Sequence, residues 1–78
     1  MMVQILYRSV DERIRYYSFA IYPNLFGEFL LERRYGSLKN RCDTRVLKST
    51  YTDLHEAQSE YKRFLDLKLR RGYHEKRS

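Results

Sequence analysis

Up to about residue 51, apolar and polar positions alternate with a period of two, and beyond that the spacing becomes helical. Val3, Ile5 and Tyr7 alternate with Gln4, Leu6 and Arg8, which predicts a short strand over residues 3–8. The polar stretch Ser9-Val10-Asp11-Glu12-Arg13 reads as a connection. A second strand is predicted over Ile14–Tyr22, with Tyr17, Phe19 and Ile21 on one face and Tyr16, Ser18, Ala20 and Tyr22 on the other. Its aromatic content favours a strand over a helix. Pro23-Asn24 ends it, because proline cannot donate to a ladder, and a hairpin loop runs from Asn24 to Gly27.

A third strand is predicted from Phe26 or Glu28 to Tyr35. Alternation places Phe29, Leu31, Arg33 and Tyr35 together, against Leu30, Glu32, Arg34 and Gly36. If Phe29 and Leu31 face the core, Tyr35 lies on the core side at its end, unless a bulge near Gly36 re-aims it. Ser37–Asp43 is a polar, basic loop. A fourth strand, Thr44–Tyr51, sets Arg45, Leu47, Ser49 and Tyr51 against Val46, Lys48 and Thr50. Polar residues on both of its faces mark it as half exposed or at an edge.

Thr52-Asp53-Leu54-His55-Glu56 then starts a helix, with Asp53 as cap and Glu56 at capping-box distance. Leu54, Ala57, Tyr61, Phe64, Leu65 and Lys68 recur along one face. Gln58, Ser59, Lys62, Arg63, Asp66 and Arg70 form the solvated one. Gly72 is the expected stop, and Tyr73 folds back on the last turn. The fold class is therefore α+β, a small antiparallel sheet of about four strands with one C-terminal amphipathic helix on one face. It is expected to form a single domain over residues 1–78, with a core at about 3–73 and a basic tail at 74–78.

Composition adds a chemical bias. The 78 residues carry 16 Lys and Arg against 10 Asp and Glu, a formal net charge of +6, which favours a polyanionic partner. Eight tyrosines and four phenylalanines argue for a packed core and against disorder. That core is thin at this length, so an oligomer or a larger assembly is compatible with it. Cys42 is the single cysteine, so no internal disulfide forms, which fits a reducing cytoplasm. The N-terminal residues lack an apolar run of the signal-peptide kind, and no run approaches a transmembrane helix. A soluble cytoplasmic protein is expected.

Catalytic chemistry finds little support. His55 and His74 have no neighbour at metal-ligand spacing, Cys42 has no evident His partner, and no glycine-rich phosphate loop exists. Neither an enzyme, a metal site nor a cofactor is expected. Glu32-Arg33-Arg34-Tyr35-Gly36-Ser37-Leu38-Lys39 suits a nucleic-acid contact instead. Its guanidinium groups pair with phosphate, its ring stacks, and its glycine lets the backbone turn. The last eleven residues, Lys68 to Ser78, hold five basic groups against one acid. They complement the helix dipole or supply a cationic arm for phosphates.

The order of these motifs resembles the WGR domain, from Arg15 to Tyr73. Tyr17-Ser18-Phe19-Ala20-Ile21 looks like the family's aromatic strand. Asp53-Leu54-His55-Glu56-Ala57, Tyr61, Leu65, Lys68 and Gly72-Tyr73 match its helix pattern. Arg34-Tyr35-Gly36-Ser37 stands where the family has Arg-Trp-Gly-Arg, so the signature tryptophan is Tyr35 and the signature arginine is Ser37. The resemblance implies an antiparallel sheet with a helix on one face and a nucleic-acid-binding module. Such modules occur in poly(ADP-ribose) polymerases and in bacterial proteins, some of them standalone. In the polymerases the domain contacts DNA at a break, and this chain has no room for their catalytic domain.

The candidate nucleic-acid-binding residues are Arg33, Arg34, Tyr35, Lys39, Arg41, Lys48 and Lys68. Arg34 and Lys68 match family positions, and the other cations rest on charge and loop placement. Tyr35 reads equally as core-edge packing, and each cation also reads as part of a solvated face. DNA, with RNA as an alternative, is the expected partner, bound through its backbone without strong sequence specificity. The competing reading is a domain that docks on a larger protein or forms a homodimer. Its surface would be a sheet face exposing Tyr16, Tyr22 and Leu30. No membrane partner is expected.

Overall fold

A computed structural model of the chain describes residues 2–39 and 43–75. Four strands precede one helix: β1 Met2–Val10, β2 Arg13–Pro23, β3 Phe29–Ser37, β4 Arg45–Tyr51 and α1 Leu54–Arg70. The strands pair antiparallel in chain order, β1-β2-β3-β4, and α1 packs across one face of the sheet. This is the expected α+β architecture.

The polar stretch 9–13 is shorter as a connection than its composition suggests. Pairing continues to Val10↔Arg13, which leaves only Asp11 and Glu12 as the turn. Both have positive φ, 49° and 65°, the geometry that a two-residue hairpin needs to match the twist of its strands. At the next turn the Asn24 side chain accepts from the backbone N–H groups of Phe26 and Glu28. This fixes a hairpin whose tip shows Leu25 and Phe26 to solvent, 99% and 85% exposed.

Tyr17, Phe19 and Ile21 of β2 and Leu31 of β3 form the core with Ala57 and Tyr61 of α1, as their spacing predicts. In β1 the register buries Leu6, opposite Tyr17, and turns Val3 and Ile5 outward. Of the two alternating sets, the one with the smaller apolar content therefore faces the helix. Gln4 belongs to that set and is satisfied there: Tyr61 Oη donates to its Oε1 at 2.9 Å.

Asp53 caps α1 by accepting from the His55 N–H at 3.1 Å. Ala57, Tyr61, Phe64, Leu65 and Lys68 turn inward, while Leu54 stays largely exposed at the first turn. Gly72 ends the helix at φ 96°, with Gly72 N bonded to Leu69 O and Tyr73 N to Lys68 O. A left-handed residue at this point lets the chain reverse. Tyr73 consequently returns to the core, and His74 makes a two-bond bridge with Tyr7 on the outer edge of β1.

Candidate nucleic-acid interface

Gly36 does not turn the chain. β3 runs through it to Ser37, in unbroken register with β2, so no bulge re-aims Tyr35. The glycine is needed for close approach, because a Cβ there would lie 3.0 Å from both Thr44 N and Tyr16 Oη. Tyr35 stays on the helix side and stacks on Tyr17, with centroids 5.4 Å apart and planes 18° apart.

Strand alternation divides the candidate cations between two faces. Arg34 and Lys48 lie on the face away from the helix, and both serve carboxylates. Arg34 binds Glu32 through Nε and Asp43 through Nη1 at 3.0 Å, while Lys48 lies 3.8 Å from Glu32. Glu32 is only 8% exposed and also accepts from Tyr22 Oη at 2.6 Å. The hydrogen bonds from Arg34 and then Tyr22 hold its carboxyl below the usual range against the pull of burial. Asp43 is held down in the same direction, first by the Tyr16 hydroxyl and then by Arg34. Arg34 is thus a bracket that fixes Asp43, and with it the chain entering β4, to the sheet.

On the helix side the balance is different. Arg13 and Arg15 share the face of Tyr17, and Arg8 and Arg45 pair across the strands with Arg15 and Tyr35. Among the described residues none of these four arginines makes an ion pair with a carboxylate. A cleft of about 260 Å³ opens at this end of the sheet, lined by Arg13, Arg15, Tyr16, Tyr35, Gly36, Ser37, Thr44 and Tyr73. Arg8 sits 6.0 Å from the centroid of the Tyr73 ring. Tyr73 reaches the cleft only because of the Gly72 reversal, and Gly36 lies in its lining between Tyr35 and Ser37.

A family model described as WGR domain matches residues 4–78. The chain belongs to the WGR domain family. No curated protein and no solved structure matches it. In this WGR domain the positions of the signature motif are Tyr35, Gly36 and Ser37. Tyr35 and Ser37 line the cleft, so this pair faces the helix side while Arg34 faces away from it.

The remaining candidates scatter. Lys39 is exposed in the turn after β3. Arg41 and Cys42 lie outside the described residues, as do the last three residues of the basic tail. Arg33 and Lys68 both approach Tyr17 beneath the helix. Sequence reasoning passed over Arg13 and Arg15, although the alternation that put Tyr17, Phe19 and Ile21 on one face extends to both.

Proposed function

We propose that this WGR domain is a nucleic-acid-binding module that holds phosphates of the backbone at the cleft end of its sheet, without reading base sequence and without catalysing a reaction. The observation that carries this reading is the grouping of Arg8, Arg13, Arg15 and Arg45 around Tyr35 and Tyr73, with no ion pair to a carboxylate among the described residues, while Arg34 and Lys48 are committed to Glu32 and Asp43. Guanidinium groups left without an internal partner are suited to bidentate phosphate pairing, and the tyrosine rings supply a sequence-tolerant stacking surface. DNA is the first candidate ligand and RNA the second.

Fluorescence anisotropy with duplex, nicked, blunt-ended and single-stranded oligonucleotides at two salt concentrations tests the proposal. Affinity is expected to fall steeply with salt. The double variant Arg13→Ala/Arg15→Ala is expected to lower the slope of log K against log salt by about two, one per lost phosphate contact. Lys62→Ala, on the solvated face of α1, removes the same kind of charge and is expected to leave binding intact. No binding of any form at low salt would sink the proposal.

Protein docking is the second reading, and a specific surface favours it. Tyr16 and Tyr22 are half-buried and hydrogen-bonded to Asp43 and Glu32, so they offer less apolar area than their alternation suggests. Val3 and Ile5 do stand exposed on that face. Light scattering that gives a strict monomer across concentration would count against self-association.

A further inference from the structure

A second group of cations gathers on the helix side, beside the cleft. Arg33 Nη1 donates to the Tyr17 hydroxyl at 3.4 Å, and Lys68 Nζ lies 4.3 Å from the centroid of the same ring. The Arg33 guanidinium carbon is 3.9 Å above the Phe64 ring. Among the described residues, neither cation forms an ion pair. Arg33 Nε is buried and has no hydrogen-bond partner.

Ring faces attract cations, yet they leave the N–H donors without acceptors of the strength these groups normally find. Burial, and then the charges of Arg71 and Arg33, loosen the proton on Lys68, as expected where cations crowd without a counter-charge. One species relieves both the like-charge repulsion and the missing acceptors. It is a compact anion with several oxygens, able to accept from a guanidinium, an ammonium and a phenol together.

We infer that Arg33, Lys68 and the Tyr17 hydroxyl form a binding site for a single phosphate-class oxyanion. The oxyanion is either a free ion or a backbone phosphate, and the second source rests on the nucleic-acid reading above.

The test compares inorganic phosphate with sodium chloride at matched ionic strength, followed by thermal unfolding and by backbone amide NMR. Phosphate is expected to raise Tm and to shift the amides of Tyr17, Arg33, Lys68 and Arg71 saturably, with chloride doing neither. Lys68→Gln removes the charge but keeps an uncharged polar side chain with part of the apolar stem, and is expected to abolish both responses while circular dichroism confirms the fold. Arg33→Lys keeps the charge but loses the fork and is expected to weaken phosphate binding roughly tenfold, the scale of one charge-assisted hydrogen bond. Equal responses in Lys68→Gln, or equal responses to chloride, overturn the site.

Oligonucleotide titrations then assign the source. A salt slope reduced by about one in Lys68→Gln marks a backbone phosphate. An unchanged slope, with the phosphate response lost, marks a free ion. Wild-type protein that answers to phosphate but binds no oligonucleotide overturns the nucleic-acid reading and leaves this site standing. Oligonucleotide binding without any phosphate response overturns this site alone.

Discussion

Gly36 shows how one residue type serves two different needs. In the sequence it reads as a turn residue, whereas in the fold it is a strand residue whose missing Cβ admits Thr44 N and Tyr16 Oη. Gly36→Ala should therefore force a shift in the backbone at Thr44 or in the Tyr16–Asp43 bond, at a cost of about 1–3 kcal/mol, the usual scale of overpacking. Chemical denaturation would measure the loss, and it should be accompanied by weaker oligonucleotide binding, because Gly36 lines the cleft. Phe19→Ala is expected to cost more, about 3–5 kcal/mol, since the ring is wholly buried between the sheet and Tyr61. Of the candidate cations, the fate of Arg34 was legible only in part: alternation sets Glu32 on its face, but its second carboxylate was hidden. Its partner Asp43 lies nine residues away across a loop, and nothing in local spacing says that a carboxylate will return to it.

At the scale of the element, periodicity carries the information wherever one face is fully covered. Ala57, Tyr61, Phe64, Leu65 and Lys68 mark the inner face of α1 because the helix has a single place to lie. Tyr17, Phe19 and Ile21 do the same for β2. β1 is ambiguous because both of its alternating sets contain apolar residues. Only the pairing Leu6↔Tyr17 decides that Leu6 goes inward. Strand ends were misjudged where composition stood in for pairing, as at Val10 and Arg13. The hairpin between β1 and β2 carries a local cost, because Glu12 occupies the left-handed region without being glycine. Glu12→Gly should raise stability by about 1 kcal/mol and Tm by about 4–8 °C, readable in a thermal melt. If the melt does not move, the turn is not strained at Glu12.

At the scale of the molecule, the two faces of the sheet divide the charge: on one, Arg34 and Lys48 pair with Glu32 and Asp43, and the other ends in arginines that make no ion pair among the described residues. The paired face makes folding pH-dependent. Glu32 and Asp43 titrate lower in the folded chain than in the unfolded one. Their contribution is therefore full above the ordinary carboxylate range of about 4 to 4.5 and is lost as pH falls through their depressed folded values. Denaturation midpoints should hold steady from neutrality to about pH 5 and decline below it. Glu32→Gln should be less stable at neutral pH and should show a shallower decline. The hairpin tip bears on a different matter. It stands at the far end of β2 from Arg13, roughly 35 Å away at about 3.3 Å per residue. Leu25 touches almost nothing there, on a turn that the Asn24 side chain holds in shape. A fluorophore attached at Leu25 would turn with the whole domain and remain clear of whatever occupies the cationic end, which makes this tip the natural handle for tethering or tracking the protein.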